Sequence, residues 1–400
     1  MSPRILYYLI LFTVALELTS CSPKTSSRSP SNQTISLKPN VRPSTTPRSR
    51  LEKPVPPLRL AVPAALPDRL DNKNLKTMEP AALRAQAQTA ETQKLYQVAA
   101  PYQYWYVQKT REGQYDLACY IARTGQIDAA FYWLQIAAIE QGLDTEHVKS
   151  DEDLESLRRD PRWEKVLQYV EACSNYFESG PFARTVLVLP TGYKKPAALP
   201  AILWLHGARS RPDDFVNDDC QAYADELNVA MIGVSATTAK GPRMFMWTED
   251  IEKDAGRIRD ALAEVRDRVT IAKGRVILLG FSQRAQLGFQ LAVRNPEEHA
   301  GAIVLSPGII LSRPANPHLD ELKLSPLLAW RGYVLCCNAD EYPGTVRLTA
   351  LDADWLRAAK AHVIHKAYPG ISAHALPPDF GERFPEWVRI ILKVASKEKN

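Results

Sequence analysis

The sequence predicts an α/β protein: a doubly wound, mostly parallel sheet preceded by a small all-α helical-hairpin domain. Two observations predict it. From about residue 182 onward, short apolar runs alternate with amphipathic stretches. Runs without polar alternation suit strands buried on both faces, and their alternation with helices is the pattern of a doubly wound sheet. Before that point, apolar residues recur at helical spacing. The 400 residues exceed one typical domain, and 45% are apolar, enough for a sizeable core.

The first segment, residues 1–21, reads as a signal peptide. Arg4 precedes an apolar run from Ile5 to Leu16, too short for an ordinary spanning helix, and the segment closes on Leu18-Thr19-Ser20-Cys21. This ending resembles the lipidation signal of bacterial lipoproteins, with Cys21 as the lipidated residue. Ser22, not Asp, follows it. The resemblance implies a lipid anchor in a bacterial cell envelope, at the outer membrane and facing the periplasm or the exterior. Residues 22–78 read as a Pro/Ser-rich basic spacer too polar to bury a core. Between Ser22 and Leu70, nine Lys and Arg face two acids, a surplus of seven. The whole chain carries only +5, and Arg4 cancels Glu17, so residues 71–400 sum to about −2. The basic balance belongs to the spacer, and a nucleic-acid partner is not expected.

Residues 79–178 read as the helical domain. Glu79–Lys94 is rich in Ala, Gln and Leu and predicts a helix. In Tyr115–Gly142, Leu117, Ala118, Ile121 and Ala122 precede a break at Thr124-Gly125, after which Ile127, Ala130, Trp133, Leu134 and Ala137 resume the period. This helix–turn–helix spacing resembles a tetratricopeptide hairpin. One hairpin cannot bury its apolar face alone, so Glu79–Lys94 and Asp160–Ala172 are expected to pack around it. Its role is open between a peptide-binding groove and a structural cap or spacer for the following domain.

Residues 179–400 read as the sheet domain. The expected strands are Val186–Leu189, Ala201–Leu205, Val229–Val234, Val276–Leu279, Ala302–Leu305, Tyr333–Cys337 and His362–Ile364. Ile251, Ala255, Ile258, Leu262, Val265 and Val269 step by three and four, an amphipathic helix, and another closes the chain from Pro385 to Val394.

Chemistry concentrates at the carboxyl ends of these strands. Gly280-Phe281-Ser282 follows one strand and leads into a helix, the layout of a turn that holds a nucleophilic hydroxyl above a sheet. Asp340 follows the Tyr333–Cys337 strand, and His374 the His362–Ile364 strand. A Ser hydroxyl is a weak nucleophile until a His takes its proton, and a buried carboxylate fixes that His. Glu341 is the rival of Asp340 for the last role. His206-Gly207 forms a turn after the Ala201–Leu205 strand, with His206 as the residue that orients it.

The segments WLHGARS, GFSQRAQLGFQLA, AGAIVLSPG, NADEYPG and YPGISAHALPPDF together resemble the α/β-hydrolase superfamily, nearest its phospholipase/carboxylesterase and dienelactone-hydrolase-like group. The resemblance runs from about Phe182 to the C-terminus. It implies a serine esterase without metal or cofactor, acting on a small-molecule ester through an acyl-enzyme. Ser282 would be the nucleophile, His374 the base and Asp340, at the family position, the acid. The backbone of Ala208 and Gln283 would form the oxyanion hole, and Trp247 would lie near the acyl pocket. The elbow departs from G-x-S-x-G: Arg284 stands where a small residue is usual. Arg284 is expected either to face the site and meet an anionic substrate, or to pair with an acid across the adjoining helix, or to mark lost activity. A different class of function is a catalytically silent hydrolase-fold binding protein that recruits a partner through the helical hairpin. The six cysteines form no C-x-x-C or His/Cys cluster, so no metal is expected.

Overall fold

The computed structural model describes residues 35–36, 74–215, 218–248, 250–308 and 325–397. The signal peptide with Cys21, and all of the spacer but Ile35–Ser36 and its last five residues, lie outside them. In the helical region, α1 (Pro80–Thr92) and α2 (Tyr96–Thr110) form one hairpin, and α3 (Gln114–Arg123) and α4 (Ile127–Glu140) a second. The short α5 (Thr145–Ser150) and α6 (Glu155–Arg158) lead to the long α7 (Trp163–Ser179). The second hairpin, α1 and α7 answer to the expected elements. The sequence does not announce α2: Pro101 lies inside it, and its aromatic residues are spread around the helix without a clear apolar face. It is held by tertiary packing, with Ala99, Ala100 and Val107 in the same core as Leu117, Ile121, Phe131 and Trp163.

The sheet domain contains β2 (Thr185–Val188), β3 (Ala198–Leu205), β4 (Ala230–Val234), β7 (Thr270–Phe281), β8 (His299–Leu305), β9 (Gly332–Asn338) and β10 (His362–Tyr368). All seven expected strands are present. With β1 (Ile35–Ser36) at its edge, the sheet runs β1-β2-β4-β3-β7-β8-β9-β10. β2 is antiparallel to both β1 and β4, and every other pairing is parallel. A two-stranded ribbon, β5 (Thr238–Ala239) with β6 (Phe245–Met246), stands apart.

Alternation along the strands divides two cores. Leu203, Leu205, Leu278, Val304 and Leu335 face α9 (Ile251–Val265), α10 (Ala285–Arg294) and α11 (Pro343–Ala358). Ile202, Trp204, Ile277, Leu279 and Val334 face α8 (Asp218–Leu227) and α12 (Phe380–Ser396) on the other side. Burial on both faces is why the strands read as unbroken apolar runs. α12 begins a full turn before Pro385. A proline there leaves the carbonyl four residues back without its helical donor. That carbonyl belongs to Gly381 and accepts from the Tyr223 hydroxyl at 3.3 Å.

The helical region packs against the sheet domain through specific contacts. Phe177 of α7 joins the core of the α9–α11 face. The backbones of Gly142 and Gly241 touch: a Cβ on Gly142 would lie 2.5 Å from the Gly241 Cα, so neither position admits a side chain. Ion pairs Arg211–Glu112 (2.8 Å) and Arg209–Asp144 (3.1 Å) cross the same seam.

Candidate active site

β7 ends at Phe281, and the chain turns sharply before α10. Ser282 sits in that turn at φ +57°, a left-handed conformation costly for a residue with a Cβ. The Gly308 N–H donates to the Ser282 carbonyl at 2.8 Å and holds the turn. The crowded position is Gly280. A Cβ there would meet the Ala285 Cα at 2.6 Å and the Arg284 carbonyl at 2.7 Å. The residue two after the serine has an ordinary negative φ of −115°, which explains how an arginine fits.

Ser282 and His374 come together from residues 92 apart. Ser282 Oγ donates to His374 Nε2 at 2.9 Å, and His374 Nδ1 donates to a Glu341 carboxylate oxygen at 2.7 Å. The expectation for Asp340 is corrected: the carboxylate on the histidine is Glu341. The cause is the turn after β9. Ala339 N–H donates to Tyr368 O and Asp340 N–H to Ile371 O, which leaves the Asp340 side chain on the exposed outside of the turn. Glu341 folds back beneath it and is buried. Its other oxygen accepts from the Asn338 N–H (2.8 Å) and the Ser306 hydroxyl (2.9 Å). The Asn338 amide donates to Ala373 O and Ala375 O on either side of the histidine, tying its loop to the end of β9. The rings of Phe281 and Tyr342 lie 5.2 and 5.5 Å from the His374 ring, centre to centre.

The loop after β3 lies against this trio. A Cβ on Gly207 would stand 3.5 Å from the Ser282 Cβ. Ala208 follows it, exposed, and Gln283 begins the turn on the other side of the serine. His206 is fully buried, and burial pushes its pKa down to about 4. It is therefore neutral at pH 7. Its Nε2 accepts from the Ala236 N–H at 3.0 Å, so the proton is on Nδ1, which donates to Gly207 O at 2.7 Å. His206 thus sets the shape of the loop. Trp247 is buried, and its indole N–H donates to His206 O at 2.9 Å.

Arg284 is likewise turned inward. It is 2% exposed and pairs with Asp254 of α9, itself 0% exposed, at 3.2 Å. Asp254 also accepts from the Thr248 N–H (3.2 Å) and hydroxyl (3.1 Å) and from the Thr237 hydroxyl. Of the expectations for Arg284, the structure takes the pairing with an acid across a neighbouring helix. Among the described residues, one grouping offers metal-ligand types, Cys119, Asp151 and Asp153 in the helical region. Tyr115 already donates to Asp151 at 2.9 Å, and Arg123 pairs with Asp153.

The sheet order, the flanking helices and the elbow are those of the α/β-hydrolase fold. No family model matches the sequence, and no curated protein shows significant similarity to it. The chain is similar to several solved structures. An uncharacterized protein from Bacillus cereus ATCC 10987 is 16% identical over 79% of this chain and 99% of its own, at a TM-score of 0.41. The Bacillus cereus carboxylesterase is 15% identical over 55% of this chain and 99% of its own, at a TM-score of 0.40. A ferulic acid esterase from Anaeromyces mucronatus is 14% identical over 53% and 86%, also at 0.40.

Proposed function

We propose that the protein is a serine hydrolase of carboxylic esters. One observation carries the reading: the unbroken line from Ser282 Oγ through His374 to Glu341, with the serine at the strained apex of a strand–helix turn. In this reading His374 Nε2 takes the hydroxyl proton as Ser282 Oγ attacks the ester carbonyl. Glu341 holds the imidazole in the tautomer that accepts at Nε2 and stabilises the cation that forms. The backbone N–H groups of Ala208 and Gln283 flank the nucleophile and are the donors for the developing oxyanion, each typically contributing about two to three powers of ten in rate. His374 then returns its proton to the leaving alcohol, and water attacks the acyl-enzyme with the same base. The resemblance of the WLHGARS, GFSQRAQLGFQLA and NADEYPG segments to the carboxylesterase group supports the substrate class. The full chain is expected to hydrolyse short p-nitrophenyl esters and to take a fluorophosphonate label that Ser282→Ala abolishes. No label on the wild-type protein would favour a silent binding protein and sink this reading.

For location, we propose a membrane tether through lipidated Cys21, on the strength of its signal-like sequence alone. Partition into detergent that survives Cys21→Ser refutes it.

A further inference from the structure

A cavity of about 40 Å³ lies at the seam between the helical region and the sheet domain. That is room for about three waters, or for one small polar group in their place. Four arginines line it, Arg84 from α1 and Arg209, Arg211 and Arg243 from the sheet domain, against two acids, Glu112 and Asp116.

The guanidinium groups of Arg209, Arg211 and Arg243 are held but not saturated. Arg209 uses Nη2 on Asp144, and Arg211 uses Nε on Asp214 and Nη2 on Glu112. Arg243 uses Nη1 on the Arg111 carbonyl and on Glu112. Their remaining N–H groups, Nε and Nη1 of Arg209, Nη1 of Arg211, and Nε and Nη2 of Arg243, have no hydrogen-bond partner among the described residues. Planar forks fixed by neighbouring acids, with donors left over, are the arrangement that takes an oxyanion in bidentate fashion. Burial and the neighbouring Arg211 and Arg184 also pull Arg243 below the usual guanidinium range against the pull of Glu112, so an added negative charge there is favoured.

A second observation points the same way. Asp116 Oδ1 is buried and has no hydrogen-bond partner among the described residues. Burial, reinforced by Glu91, holds its carboxyl well above the usual range. In its protonated form Asp116 would donate to an anion, not repel it. One of its arginines follows closely on the loop beside Ser282. Arg209 is two residues beyond Gly207, so its Cα lies no more than about 7.6 Å from the glycine that abuts the serine.

We propose that this cavity binds one carboxylate or phosphate group, carried either by the substrate or by a separate small ligand. The binding test does not depend on the esterase reading, because it uses the full chain carrying Ser282→Ala. Inorganic phosphate and succinate are titrated calorimetrically. At least one is expected to bind saturably at about millimolar or tighter, and binding is expected to weaken about tenfold or more with Arg243→Gln added. Arg84→Gln, on the wall formed by the helical region, gives the same loss and serves if the first variant does not fold. No saturable binding of either anion, or binding untouched by the folded variants, overturns the site. Competition identifies the occupant. Phosphate that raises KM for a hemisuccinate ester but not for the matching acetate places the substrate's own carboxylate in the cavity. Phosphate that binds without changing either KM assigns it to a separate ligand.

Discussion

At the scale of the residue, the turn after β9 decides the chemistry. Asp340 and Glu341 are adjacent acids at the end of the same strand, and nothing in their spacing separates them. The separation comes from Ser306 and Asn338, which supply hydrogen bonds at the one place a carboxylate reaches His374. Glu341→Gln should therefore lower kcat by about three to four powers of ten, as loss of the orienting acid does elsewhere. Asp340→Asn, exposed, should leave kcat within about twofold. Steady-state kinetics on one p-nitrophenyl ester check both, and equal losses would falsify the assignment of Glu341. Arg284 and Asp254 form a second residue-scale unit. Removing one partner leaves the other's buried charge without this counter-ion, so Asp254→Ala should cost about 3–5 kcal/mol of stability. The same cost is expected for Arg284→Gly, and replacing both with apolar residues of similar volume should recover most of it. Urea unfolding of the three variants measures this. Arg284 could be recognised in sequence as an oddity. Its partner could not, because Asp254 reads there as one polar position of an amphipathic helix.

At the scale of the element, the elbow was legible and its tolerance was not. The apolar run, Gly280 and Ser282 place the turn. That the first glycine is the sterically required one, while the position of the second accepts an arginine, depends on how α10 leaves the turn. Gly280→Ala pushes a methyl into the α10 backbone, and overpacking of this kind costs about 1–3 kcal/mol or shifts the turn. Its expected result is loss of fluorophosphonate labelling at Ser282 with a lowered melting temperature. Labelling at the wild-type rate would show that the elbow relaxes freely. The second hairpin could be read because Ala, Leu and Ile recur along it. Its neighbour α2 could not be read, because its stability rests on contacts with α1 and α3 that a weakly patterned, proline-bearing segment does not reveal. The same holds for Trp247. Its sequence neighbours suggest a pocket, and only the His206 carbonyl shows it to be an anchor under the loop.

At the scale of the whole molecule, the two regions respond to acid in opposite directions. Burial holds both His206 and His299 at about 4, below the ordinary value near 6.5. As pH falls from about 6.5 to 4, the unfolded chain binds protons that these folded histidines refuse. The sheet domain thus loses up to about 3 kcal/mol for each, all of it gone below 4. In the helical region, burial raises Asp153 to about 6 and moves Asp116 the same way. At these two carboxyls the folded state takes up the proton first, and their contribution to stability rises as pH falls through 6 toward 4, while burial of His147 acts the other way. Hydrogen exchange at pH 7 and pH 5 should show protection falling in β3, β4 and β8 and rising in α3. A uniform shift in both regions contradicts this. The sequence by itself determined the strands, their buried character, the two-part layout and the serine and histidine of the site. Those properties are written in local periodicity and in residues that follow strand ends. Only the tertiary structure decided which acid meets His374, where Arg284 goes, and that four arginines meet across the seam. Each of these depends on side chains far apart in the chain, whose meeting is set by how strands and helices pack.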